Sequence, residues 1–394
     1  MSVQKGDSVA DVTDIKRRAD DYYDAYLADL ERIVNIDSGT FDRDGVNEAG
    51  GFLRSILADL GFEITMHPNE ELGDHFVATL AGNGSRRLML LGHFDTVYPK
   101  GTTSERPLTI RDGKAYGPAS MDMKGGMILA CYAMKILRDI GYDDFAEVTF
   151  VANADEEIGS PTSRALIEGE AARMDAVFVF EPGRAAGGVL ATRKGVGMFE
   201  LDVHGVAAHA GASPRDGRSA NLEMAHKIIQ LHDLNDFKIG STVSANQMRG
   251  GERRNVIADY AHCAVDVRVP TKAEGERVTA EIEKIANRST VPDTTTKLTG
   301  GINRPPMEKV PGTDALLSLS RSIVDDLGRE YEELSSGGGS DGNFTAALGI
   351  PTLDGLGPEG QNAHNAETEY VVLDSIADRI ALTAALLIDC PPKP

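Results

Sequence analysis

The run Leu88-Met89-Leu90-Leu91-Gly92-His93-Phe94-Asp95-Thr96-Val97 holds four consecutive apolar residues and then turns polar at a histidine and an aspartate. A short, continuous apolar run that stops at a glycine reads as a strand buried on both faces. Comparable runs stand at residues 76–80, 148–152 and 176–180. Apolar residues at helical spacing fill 126–137 and 163–170, and two amphipathic helices are predicted earlier, over 21–36 and 50–60. Strands alternating with helices predict an α/β domain whose mixed, largely parallel sheet is flanked by helices. Ligands of such sheets gather at the carboxyl ends of the strands, where His93 and Asp95 fall.

Around Gly187 the texture changes. Residues 195–204, 241–247 and 260–269 read as strands, and 219–232 and 274–287 as helices. This βαββα order predicts an inserted α+β (ferredoxin-like) domain over 194–305, which divides a discontinuous first domain into 1–193 and 306–394.

With 61 acidic against 40 basic residues, the formal charge of −21 repels phosphate backbones and anionic membrane surfaces. Nucleic acid and membrane partners are therefore not expected. No stretch reaches the roughly 18 apolar residues of a membrane span, and residues 1–20 show no secretory pattern, so a cytoplasmic location is expected. Cys131, Cys263 and Cys390 are far apart and read as packed thiols.

The chemistry is concentrated after the predicted strands. His93-x-Asp95 puts an imidazole and a carboxylate on the same side of an extended chain, so one can bind a metal while the other orients it. In the glycine-rich turn of residues 116–126, Asp122 stands at a helix mouth. Asp155-Glu156-Glu157 packs three acids directly after a strand, a costly arrangement without a compensating cation. Adjacent glutamates diverge, so one can ligate while its neighbour reaches a water on the metal. Glu181 follows the fourth strand, and His364 stands in Asn362-Ala363-His364-Asn365-Ala366-Glu367. The set amounts to two histidines and three carboxylates as ligands, Asp95 as orienter and Glu156 as base. Nitrogen and oxygen donors without cysteine suit two zinc ions, and cobalt or manganese suit similar ligands.

These motifs resemble those of the two-zinc metallopeptidase family that includes aminoacylases, acetylornithine deacetylase, succinyl-diaminopimelate desuccinylase and glutamate carboxypeptidases. The resemblance extends from about Asp21 to the end, departing at Met121 and Met123. It implies that one zinc takes His93 and Glu181, that the other takes Glu157 and His364, and that Asp122 bridges them. It also implies that Asp95 orients His93, that Glu156 is general base and then acid, and that the Asp122–Met123 peptide is cis. The insert is implied to be a lid and dimerisation domain of a homodimer, with His209 reaching the partner's site to stabilise an oxyanion and Asn255 matching a family amide.

Asp95-Thr96-Val97-Tyr98 and Gly337-Gly338-Gly339-Ser340-Asp341 are most similar to the glutamate carboxypeptidase branch. That similarity implies release of a carboxyl-terminal glutamate from a small peptide or N-acyl amino acid. A substrate carboxylate needs cations or amides, for which Arg304, Arg268, Gly338 and Gly339 are available. An N-acyl-amino-acid deacylase or a dipeptidase would use the same metals and base. A catalytically silent binding relative would have lost a ligand or the base, and none is lost here.

Overall fold

The computed structural model describes residues 11–184 and 187–392, so the first half of the polar segment 1–20 lies outside the described residues. The chain divides into a larger unit, Met1–Thr192 with Lys309–Ser335 and Ser340–Pro394, and a smaller one, Arg193–Glu308 with Ser336–Gly339.

The larger unit is built on a six-stranded sheet in the order Glu63–His67, His75–Ala81, Glu147–Asn153, Arg87–His93, Ala176–Val179 and Thr352–Leu353. The last four run parallel, and the first two add an antiparallel edge. Side chains alternate between the faces, as the period of a strand requires. Leu88, Leu90, Val148, Phe150 and Phe178 join a core with the helices Gly125–Asp139 and Ile376–Asp389. Met89, Leu91, Val151, Val177 and Val179 join a second core with Ile167, Ala171 and Phe344 on the opposite face. Because both faces are covered, the central strands read as continuous apolar runs. Ile376–Asp389 is apolar nearly all round because the helices Val12–Asp21, Thr313–Asp326 and Gly125–Asp139 pack against it.

Several predicted boundaries change. The predicted helix over 21–36 is the helix Tyr23–Val34, and an unpredicted helix, Val12–Asp21, precedes it. Val12–Asp21 is masked in the sequence by its charged face, although Val12, Ile15 and Ala19 are buried at helical spacing. The strand Glu63–His67 went unread because its residues are exposed or half-buried, leaving no apolar signal.

In the smaller unit the strands Gly195–His204, Thr242–Gly250, Tyr260–Val269 and Thr295–Arg304 form an antiparallel sheet. The helices Ala220–His232 and Lys272–Asn287 pack into a core with this sheet. The order β-α-β-β-α-β, with the first strand between the third and fourth, is the ferredoxin-like arrangement. The fourth strand, missing from the βαββα reading, is an edge strand interrupted by Gly300 and Gly301, with few buried positions to mark it. Among the described residues no helix is long and apolar enough to cross a membrane.

Candidate metal centre

Three parallel strands end side by side, and each delivers part of one acidic cluster. Arg87–His93 ends on His93 itself, Glu147–Asn153 runs into the short helical turn Glu156–Ile158, and Ala176–Val179 precedes Glu181. Asp122 comes from the turn before the helix Gly125–Asp139, and its peptide bond to Met123 is cis. Gly126 lets that helix start close to the Glu181 strand end, since a β-carbon there would collide with the Phe180 carbonyl. His364 arrives on a loop in which both Asn362 and His364 have φ near +65° (65° and 67°), a costly conformation for residues other than glycine.

Asp122 faces both histidines with separate oxygens: Oδ1 lies 3.4 Å from His93 Nε2, and Oδ2 lies 3.1 Å from His364 Nε2. Glu181 Oε1 and Glu156 Oε2 lie 3.7 and 3.9 Å from His93 Nε2, and Glu157 Oε2 lies 3.4 Å from His364 Nε2. Donor atoms of His93, Glu156 and Glu181 fall within 4.8 Å of one another, as do those of His93, Asp122 and Glu157. His93 Nε2 and Glu157 Oε1 are buried without a hydrogen-bond partner, a costly state that a cation would relieve. The nitrogen and oxygen donor set, with one carboxylate presenting an oxygen to each side, therefore fits a pair of divalent ions.

Asp95 acts behind this layer. Its carboxylate lies 3.4 Å from His93 Nδ1 and accepts from the Thr40 hydroxyl at 2.7 Å. It also accepts the backbone N–H groups of Glu156 and Glu157 at 3.1 and 3.3 Å, so one carboxylate holds the histidine and the glutamate turn together. Asp155 turns away from the cluster, accepting from Thr162 and Ser163, and is structural. A residue missed in the sequence is Glu369. Fully buried, it accepts the N–H groups of Ala119, Met121 and Asp122 at 3.1, 2.8 and 3.1 Å and the Tyr98 hydroxyl at 2.5 Å, clamping the turn that carries Asp122. Burial pushes its carboxyl up to about 7 against these hydrogen bonds.

Burial alone would lower the His93 pKa, yet the Asp122, Asp95 and Glu156 carboxylates hold it well above its ordinary value. Asp122 and Glu157 raise His364 to about 11. These carboxylates favour the protonated form of both imidazoles in the absence of metal, and a protonated imidazole must lose its proton to ligate. Loading the stripped protein with zinc at pH 7 is expected to release about two protons per chain, with affinity rising as pH rises. Calorimetry in buffers of different ionisation enthalpy measures this, and zero release would mean that the imidazoles are already neutral in the metal-free chain.

The remaining candidates lie in the smaller unit. The backbone of His209 bridges to Val256, and Asn255 accepts the Ala210 N–H, so these loops lie side by side. His209 Nδ1 accepts from the N–H groups of Gly211 and Ala212, which places the proton of the neutral ring on Nε2. Arg304 is buried against the glycine loop, where a β-carbon on Gly339 would sit 2.9 Å from its Cδ. Gly338 presents its carbonyl to Arg193 at 3.4 Å. Arg268 is held in a two-pronged pair with Asp266 at 2.9 Å.

An acid–histidine cluster able to hold a metal ion, at the carboxyl ends of a parallel sheet, is the arrangement of a metallohydrolase. The profile of peptidase family M20/M25/M40 matches residues 89–389. Carboxypeptidase G2 of Pseudomonas sp. (strain RS-16) is 31% identical over 390 residues, covering 98% of this chain and 93% of that protein. The chain belongs to peptidase family M20/M25/M40. Its fold is shared with the aminopeptidase PepT of Bacillus cereus, at a TM-score of 0.79 and 20% identity over 93% of this chain and 98% of that one. It is shared too with the M20 metallo-carboxypeptidase Sso-CP2 of Sulfolobus solfataricus, at a TM-score of 0.72 and 16% identity over 92% and 98% of the two chains.

Proposed function

We propose that this chain is a two-zinc carboxypeptidase that hydrolyses an amide next to a free carboxylate and releases a terminal amino acid, with glutamate as the first candidate. The observation that carries the reading is Asp122, whose two carboxylate oxygens face two histidines, with Glu156 Oε2 3.9 Å from His93 Nε2. In this reading His93 and Glu181 would hold one ion, Glu157 and His364 would hold the other, and Asp122 would be shared between them. Two bound metal ions would supply Lewis acidity to the scissile carbonyl and to a water. Glu156 takes the proton of that water and later returns it to the leaving amine. Asp95 keeps His93 Nε2 aimed at the site and fixes the backbone of Glu156 and Glu157. His209, with its proton on Nε2, would donate to the oxyanion from a second subunit of a homodimer. Arg304, with the glycine loop, and Asn255 would receive the substrate carboxylate.

The full-length likeness to a carboxypeptidase supports release of the terminal residue. The test is amino-acid release by the stripped and zinc-reloaded chain from peptidyl and N-acyl substrates that differ in the terminal residue. Zinc-dependent release of glutamate from acyl-glutamates is expected, and His209→Ala should lower kcat more than it raises KM. Release of a different residue, or cleavage of acetyl groups alone, would move the chain to the dipeptidase or deacylase reading. Silence across the panel would remove the hydrolytic reading.

A further inference from the structure

The chain segments that deliver His93, Asp122 and His364 meet behind the cluster at one buried carboxylate, Glu369. The turn that carries Asp122 leaves the helical conformation there: Asp122 has φ −119° and ψ 96°, and Met123 has φ −129° and ψ 31°. Backbone N–H groups in such a turn lack the carbonyl partners of a regular helix, and buried ones must find others. Glu369 supplies them. Its Oε1 accepts from the N–H groups of Met121 and Asp122, and its Oε2 accepts from the N–H of Ala119. The second donor to Oε2 is the hydroxyl of Tyr98, from the segment that continues from His93 and Asp95.

Glu369 also belongs to the segment that carries His364, five residues earlier. That segment is folded on itself: the N–H groups of Thr368 and Glu369 donate to the Asn365 carbonyl at 3.0 and 2.8 Å, and the Asn362 side-chain amide donates to the Thr368 carbonyl at 3.2 Å. Directly after Glu369, the strand Tyr370–Val372 pairs with Lys114–Tyr116, the strand that leads into the Asp122 turn. One segment therefore reaches Asp122 from two directions. His364 Nε2 meets its side-chain Oδ2, and Glu369 holds the N–H of the same residue. The two sides of Asp122 depend on it unequally. Donor atoms of His93, Glu156 and Glu181 lie within 4.8 Å of one another without Asp122, and the His93 side chain is 1% exposed and backed by Asp95. On the other side the His364 side chain is 53% exposed, and its carboxylate neighbours are Asp122 and Glu157.

We infer that Glu369 is the positioning residue that makes Asp122 a shared ligand, and that it governs the affinity of the ion at Glu157 and His364 far more than that of the ion at His93 and Glu181. The inference rests on the two-zinc reading above. A carboxylate that must offer separate oxygens to two sides depends on the orientation of its own backbone, and Glu369 fixes that backbone. Groups that orient a ligand from behind are worth about ten- to a hundredfold in metal affinity. The His93 side retains two further carboxylates when Asp122 shifts, whereas the His364 side retains Glu157.

The test is zinc titration of the stripped chain and of Glu369→Gln. The substitution keeps the size of the side chain but turns an amide NH2 toward some of the four donors. Two-step binding is expected in which the second Kd, the one that His364→Ala also weakens, rises about ten- to a hundredfold while the first stays within about threefold. Glu367→Gln, at an exposed neighbour paired with Arg106, should leave both steps as in the parent. Manganese suits the same ligands and gives a readout that a purely structural clamp would not move. At two manganese ions per chain the parent should give the electron paramagnetic resonance spectrum of a coupled pair, and Glu369→Gln that of isolated ions. Equal weakening of both steps, or two unchanged steps with a coupled spectrum, overturns the role of Glu369 and leaves the two-zinc reading standing. A parent chain that takes up fewer than two ions removes the two-zinc reading and the inference with it. If Glu369→Gln shows no cooperative thermal transition, Tyr98→Phe decides. It removes one donor, leaves the three backbone bonds to Glu369, and should weaken the second step alone by about fivefold, the effect of one hydrogen bond. An unaltered second step in Tyr98→Phe would then overturn the inference.

Discussion

Glu156→Gln is expected to lower kcat by roughly two to four orders of magnitude while the protein keeps its full complement of metal. The substitution preserves shape and hydrogen-bonding reach and removes only the ability to take a proton. The backbone of residue 156 is fixed from outside its own side chain, by the Asp95 carboxylate, so the turn should hold in the variant. In the proposed assignment His93, Asp122 and Glu181 supply one ion and Asp122, Glu157 and His364 the other, which leaves Glu156 outside both sets. Metal content by emission spectroscopy and steady-state kinetics on the same preparation separate the two roles. Turnover within threefold of the parent would remove Glu156 as base, and loss of one ion would make it a ligand instead.

Asp122→Ala should abolish turnover and reduce the metal content below two ions per chain, because this carboxylate faces both imidazoles. Retention of two tightly held ions in this variant would rule out the bridge. Stripping the metal from the parent chain should produce a loss of stability with the same origin. Without cations, His93 and His364 are left among Asp122, Glu156, Glu157 and Glu181, and burial disfavours the charged form of Glu157. An ion that binds only the folded chain adds about 4 kcal/mol when its concentration is a thousandfold above its Kd. The thermal midpoint should therefore rise with zinc concentration, and to a smaller extent in Asp122→Ala. A midpoint indifferent to zinc would mean that these residues do not hold the ion in the folded state.

The acids of this centre show where sequence reading succeeds and where it stops. Asp155, Glu156 and Glu157 are adjacent and chemically alike, yet Asp155 is spent on Thr162 and Ser163 while the two glutamates face the histidines. The same holds for Glu367 and Glu369, two residues apart in a polar segment. Glu367 is largely exposed and pairs with Arg106, whereas Glu369 is buried and gathers three backbone N–H groups of the Asp122 turn. No local pattern separates the members of either set, because the groups that distinguish them lie far away in the chain.

The sequence by itself determined the α/β class, the buried parallel strands and the residue types able to bind metal at their ends. These follow from local rules: a strand covered on both faces must be apolar throughout, and the chain turns polar where the cover stops. The tertiary structure alone decided which carboxylates converge, which oxygen of Asp122 faces which histidine, and where the edge strands Glu63–His67 and Thr295–Arg304 pair. Distances between side chains remote in sequence depend on how the sheet twists and packs, and an edge strand with little burial leaves no periodic signal to read.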